Sequence, residues 1–196
     1  MGLSIMIFGL AVFIGVHVFS TMRTARAALV ARLGEGRYKG LYSLIALIGI
    51  LLIGYGFARY RATGFIPVWQ PPSWTRHVNN VLLWPAFVCL AAAYIPGDIK
   101  RVLKHPMMVG TKLWAVGHLI SNGDLGSIIL FGSILLWAGY DRLTMRWRTD
   151  LGAPDFGLGG RDCDTIAVIV GTLLYVVIGL WFHPYVIGVP AFTFTR

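Results

Sequence analysis

The chain has 196 residues, 57% of them hydrophobic and 13% charged, with a formal net charge of +9. Soluble domains carry roughly 25% charged residues, so this composition, with a mean hydropathy of +0.71, excludes an ordinary soluble domain. Two cysteines, Cys89 within an apolar run and Cys163 in a loop, are too few and too separated for a disulfide framework or a cysteine-based metal cluster.

Residues 3–20 form the first apolar run. No basic residue precedes it, and Arg23 and Arg26 follow directly, which predicts an uncleaved anchor with its amino end outside. In MRTARAALVARLGEG, Ala27, Leu29, Val30 and Leu33 lie among arginines, a pattern that suits a short interfacial helix. The second run is 41–58. It is followed by the proline- and tryptophan-rich GFIPVWQPPSWTRH, where Trp69 and Trp74 fit an aromatic belt. The third run is 78–95 and the fourth 107–121. Asn122, Gly123 and Asp124 then make a tight turn into the fifth, 125–140, predicting an antiparallel hairpin. A polar, glycine-rich stretch, RTDLGAPDFGLGGRDCD, reads as irregular before the sixth run at 165–182. About 30 Å of hydrocarbon takes roughly 17–25 helical residues, so each run needs only a short flank to span a membrane. The expected fold is all-α: one domain over residues 1–196, a polytopic bundle of six transmembrane helices. The sequence shows no convincing internal repeat and no glycine-rich nucleotide motif.

Lysine and arginine mark the cytoplasmic connections. Arg23, Arg26, Arg32, Arg37, Lys39, Lys100, Arg101, Lys104, Arg142, Arg146, Arg148 and Arg161 fall on alternate connections, and Arg59, Arg61, Arg76 and Arg196 on the others. Twelve against four predicts that both termini are periplasmic. The positive charge then matches anionic lipid headgroups, and nucleic acid is not an expected partner.

Polar groups in hydrocarbon cost free energy and point to use. His17 lies in the first helix, where it serves either as a hydrogen-bonding partner for a neighbouring helix or as a ligand for a metal or haem iron. His105 and Pro106 begin the fourth helix beside Arg101 and Lys104. That is either an anion site for propionates, phosphate or a carboxylate, or a plain helix start among headgroups. His118 follows 13 residues after His105, roughly 20 Å along a continuous helix, so the two cannot share one iron. Gly110, Trp114, Gly117 and Ser121 form a stripe that admits either another helix or a flat macrocycle. Lys112 can snorkel to the surface. His77 and His183 stand at the outer ends of the third and sixth helices, ordinary places for solvated histidines. No acidic residue lies well inside a run, which argues against a carboxylate relay.

His17, the segment RAALVARLGEGRYKGLYSLIALIG at 26–49, and KHPMMVGTKLWAVGHLISNGDLGSIILFG from Lys104 onward resemble the NnrU family of bacterial membrane proteins. The resemblance covers almost the whole chain. It implies a multi-pass protein of the bacterial inner membrane associated with denitrification and nitric oxide metabolism. The family is similar to the plant 15-cis-zeta-carotene isomerase, which binds haem b through histidines, and this implies haem b here. The implied iron ligands are His17 and His118. Lys104, His105 and Arg101 are the implied propionate contacts, and Trp114, Gly110 and Gly117 border the macrocycle. A redox-dependent, isomerase-like activity and a hydrophobic small molecule or redox partner follow from the same resemblance. The stretch LLWAGYDRL lacks a histidine that the isomerase carries in the corresponding helix. KHPMMVG also resembles the His-Pro motif of isoprenylcysteine and phospholipid methyltransferases, which use S-adenosylmethionine. Lys104 stands for their arginine and Met108 for their tyrosine. A membrane methyltransferase is the alternative, and a non-catalytic assembly protein a third.

Overall fold

The computed structural model describes residues 1–95, 97–147 and 159–192. Among them the chain runs through α1 (Gly2–Thr21), α2 (Arg23–Leu33), α3 (Glu35–Ala62), α4 (Thr75–Tyr94), α5 (Asp98–Leu103), α6 (Pro106–Ser121), α7 (Leu125–Thr144) and α8 (Arg161–Val177). A π-helical continuation of α8 covers Ile178–Ile187. No strand forms among the described residues, and Pro67 and Asp124 make an isolated bridge. Four helices are long and apolar enough to cross a membrane: α1, α3, α4 and the continuous segment Arg161–Ile187. Large apolar side chains such as Leu44, Leu51, Leu173 and Leu180 stand exposed along these rods. Soluble monomers seldom present such continuous apolar surface. With 16 residues, α6 rises only about 24 Å, and α7 ends in Asp141 and Arg142, so neither belongs to this set.

The backbone divides into two compact units. The first comprises Met1–Trp69 and Gly123–Trp147, the second Gln70–Asn122 and Arg148–Arg196. In the first, α1 packs along α3 and also touches α7 and α2. The α1–α3 seam is built on glycine. A Cβ on Gly9 would sit 2.7 Å from the Ile53 nitrogen, and one on Gly49 would meet the Phe13 backbone nitrogen at 2.9 Å. Gly56 faces Met6 in the same manner. Small residues let apolar helices approach until their backbones touch, replacing the hydrophobic drive that lipid does not supply.

The second run was expected over 41–58; α3 is longer, because Glu35 to Gly40 continue the helix inward with a Lys39–Glu35 ion pair of 2.8 Å one turn apart. The short helix expected after the first run is α2, which buries none of its residues. After α3, Gly64 adopts a left-handed φ of +91° and releases the chain. Val68 and Trp69 then donate their N–H groups to the Gly123 carbonyl at 2.8 and 3.0 Å. Asp124 caps α7: its side chain accepts the Ser127 N–H at 3.0 Å and the Ser127 hydroxyl at 2.6 Å.

In the second unit α4 is the centre, flanked by α6 and by α8. Its inner face is alanine-rich. Ala91 and Ala92 pack with Ala167 of α8, and Ile95, Ile99 and Val170 close over them. Gly171 lets α8 press against α4: a Cβ added there would lie 2.5 Å from the Val88 Cα. Trp84 Nε1 donates to the Thr172 hydroxyl at 3.0 Å. Pro184 cannot supply the N–H that the helix ladder needs, and the ladder there widens to π geometry. Cys163, expected in a loop, lies in the first turn of α8. Asp162 and Asp164 favour a helix start at that place through the helix dipole. Most of the glycine-rich stretch expected to be irregular lies outside the described residues, as do Arg148 and Arg196 of the charge count.

Candidate functional site

The two histidines implied as iron ligands fall at two places, one in each unit. In the first, His17 sits on α1 and is half-buried. Its Nδ1 lies 2.6 Å from the Phe13 carbonyl, four residues back. A carbonyl only accepts, so Nδ1 carries the proton and Nε2 keeps its lone pair. Three aromatic rings enclose the imidazole, with centroids at 4.2 Å for Phe13, 5.0 Å for Trp137 and 5.3 Å for Tyr42. Asp141 of α7 is buried in the same unit. Trp137 Nε1 is enclosed without a hydrogen-bond partner. At the end of α1, the Ser20 hydroxyl bonds back to the His17 carbonyl at 2.6 Å, and Thr21 meets the Tyr140 hydroxyl at 3.3 Å.

The second place is built on α6. His118 is 8% exposed. Its Nδ1 donates to the Trp114 carbonyl at 2.9 Å, so it repeats the tautomer of His17. The ring faces Trp114 at 5.1 Å and His183, on the π-helical segment, at 6.2 Å between centroids. His118, His183, Trp114, Asn80, Tyr175 and Phe192 are among the side chains around one small cavity of about 30 Å³, the space of one water. Tyr175 donates its hydroxyl to the Asn80 carbonyl at 3.2 Å, which fixes one wall.

Gly110 and Gly117 do not open on this cavity. An added Cβ on Gly110 would lie 2.7 Å from the Ala86 carbonyl oxygen and 3.2 Å from Cys89, and one on Gly117 would meet the Asn79 amide oxygen. Their stripe carries α4, the helix-packing alternative of the two that the spacing allowed. Ser121 turns its hydroxyl back to the Gly117 carbonyl at 2.9 Å.

At the start of α6, His105 is the N-cap and Pro106 the first helical residue, as the His-Pro pair predicts. His105 is 6% exposed. Its carbonyl takes the N–H groups of Met108 at 3.1 Å and Val109 at 3.3 Å, so these two backbone donors are used inside the helix. Lys104 is exposed, and Arg101 pairs with Asp98 at 3.0 Å. The Lys104 backbone has φ 60° and ψ −41°, and the His105 N–H reaches back to Leu103 at 2.7 Å. This is a tight γ-turn, uncommon for a residue with a side chain.

His183 is the residue that sequence reasoning undervalued. Its signal was a second His-Pro dipeptide, His183–Pro184, matching His105–Pro106. His77 lies in the first turn of α4 and is exposed. Among the described residues no group of three or more histidine, cysteine or acidic side chains is placed to hold a bare metal ion.

Comparisons with curated proteins and with solved structures found no match to this chain. A family model described as NnrU protein matches residues 5–191, which takes in both histidine sites and every described helix. The chain belongs to the NnrU family.

Proposed function

We propose that the protein is a haem b-binding, multi-pass protein of the bacterial inner membrane, in which His17 and His118 are the residues that would hold the iron. The observation that carries this reading is the shared state of the two imidazoles. Each ties Nδ1 to the carbonyl four residues back, at 2.6 Å for His17 and 2.9 Å for His118. Metal-ligating histidines use that arrangement: the second nitrogen is held by an acceptor, and the first is aimed and made more basic. Two neutral imidazoles among aromatic side chains fit the ligand chemistry of iron. The fit is to that donor chemistry; the 30 Å³ beside His118 is water-sized.

Haem held by these residues would supply a redox-active iron inside the membrane. The protein's own part is to fix both tautomers, to keep water from the imidazoles with Phe13, Trp137 and Trp114, and to set charge near the cytoplasmic face with Arg101, Lys104 and His105. In this reading α6 and α7 also cross, giving six spans with both termini periplasmic. The family association implies a role in denitrification or nitric oxide metabolism, with isomerase-like redox chemistry on a hydrophobic substrate as the related activity.

The test is the visible spectrum of protein purified from haem-replete cells. A Soret band that shifts on reduction with dithionite is the expected result. A colourless, folded protein that binds S-adenosylmethionine would overturn it in favour of methyl transfer.

A further inference from the structure

Beside the His17 cluster, sharing its Tyr42 ring, lies a cavity that the haem reading does not use. It lies in the first unit, between α1, α2 and α3, and has a volume of about 470 Å³. That is within the range of small-ligand pockets, roughly 300–1,000 Å³. Its walls are apolar: Ala11, Val12, Val16 and Phe19 from α1, Leu29 from α2, and Ile45 with the tyrosine rings of α3. Gly15 also lines it, and a Cβ there would meet nothing within 4 Å. The space is therefore left open rather than closed by helix contact, unlike the seam at Gly9 and Gly49.

The charge on one side of this cavity has a single sign along a whole helix. Over its eleven residues, α2 carries Arg23, Arg26 and Arg32 and no acid. Arg26 sets its guanidinium 5.7 Å from the ring centroid of Tyr38, a wall residue, and Leu29 reaches the cavity one turn further on. The acid nearest in sequence, Glu35, pairs with Lys39 at 2.8 Å and lies within electrostatic reach of Arg26, so the basic groups here still outnumber it. An apolar slot next to an arginine helix is complementary to an amphiphile with a negative head. Three cations suit a phosphodiester at the membrane surface, where each basic residue adds attraction to anionic lipid.

We infer that the slot between α1, α2 and α3 is a binding site for one anionic phospholipid. An acyl chain lies among Val12, Val16, Leu29 and Ile45, and the phosphate is held by α2 through Arg26. This site borders His17 through the shared Tyr42 ring, and lipid binding in it does not require haem.

The test uses the full-length protein, delipidated in detergent and examined by native mass spectrometry with added phosphatidylglycerol, phosphatidylcholine of the same chains, or palmitate. One phosphatidylglycerol per chain is expected to persist, with phosphatidylcholine retained at least fivefold less. Arg26→Gln should lower retention of phosphatidylglycerol about fivefold, the equivalent of one surface cation. Gly15→Phe and, separately, Ala11→Phe should fill the slot and abolish the adduct, each with an unchanged melting temperature in detergent. The inference is overturned if either folded slot-filling variant keeps the lipid, or if phosphatidylcholine binds equally well and Arg26→Gln has no effect. Palmitate outcompeting phosphatidylglycerol would overturn the phospholipid assignment.

Discussion

Tyr60 of α3 stands directly over Gly126 of α7, and its hydroxyl accepts the Gly126 N–H at 3.2 Å and the Ile66 N–H at 2.9 Å. The ring fills the space where a Gly126 side chain would go. At 4% exposure, one phenol thus satisfies two backbone donors that no helix ladder reaches.

Tyr60→Phe keeps the ring and removes the acceptor. Leaving buried donors without partners costs about 1–3 kcal/mol, so the variant should melt several degrees lower in detergent. Gly126→Ala should be at least as damaging, because its methyl group meets the ring. A Tyr60→Phe protein with unchanged melting would show that water replaces the phenol.

Asp164 does similar work in the second unit. From the first turn of α8 its carboxylate accepts the N–H groups of Asp98 and Ile99, at 3.1 and 3.0 Å, and so caps the six-residue helix α5. A lost helix cap costs about 1 kcal/mol. Asp164→Ala should therefore speed amide hydrogen exchange at residues 98–101 and lower stability by about that amount. Asp164→Asn, which keeps one acceptor oxygen, should fall between it and the wild type.

The ligand assignment separates four histidines. His118→Ala and His17→Ala should each lose haem or change the iron's spin state, read from the Soret and visible bands. His105→Ala should leave the spectrum largely intact and weaken haem retention modestly, since in the proposed reading that residue meets propionates and not the iron. His183→Ala should keep a low-spin spectrum. If His183→Ala loses it while His17→Ala does not, the second ligand is the neighbour 6.2 Å from His118.

Topology is checked with reporters. A periplasmic reporter fused after Arg196 should be active, and a cytoplasmic one inserted at Asp155 should be active too. The reverse pattern would discard the arrangement of six spans with both ends outside.

Much of this architecture was written locally in the chain. The apolar runs gave α1, α3, α4 and α8, the His-Pro pair gave the start of α6, and Asn122 to Asp124 gave the end of α6 and the cap of α7. Local signals suffice there because caps and apolar length are properties of a few adjacent residues. The glycine stripe of α6 was ambiguous, since spacing shows a small face but not what covers it; α4 does. The neighbourhood of His183 was illegible for a different reason. A 3.6-residue period misplaces side chains once Pro184 has widened the helix, and sequence distance hides that residues 118 and 183 share a cavity. The lone start of α8 at Arg161 was also missed, because a glycine-rich approach masked two acids that favour a helix.

The division into units has a consequence for biosynthesis. The first unit is interrupted in the chain: its α1–α3 portion ends at Trp69, and α7 arrives only with Gly123–Trp147. Chains emerge from the ribosome amino end first, at about 5–20 residues per second. The glycine seam between α1 and α3 can close early, whereas the Trp137 ring beside His17 must wait for more than fifty intervening residues, roughly several seconds at that rate. During that interval the aromatic enclosure of His17 is open on the side that Trp137 later covers. A ligand supplied in that interval would reach the imidazole without displacing finished packing.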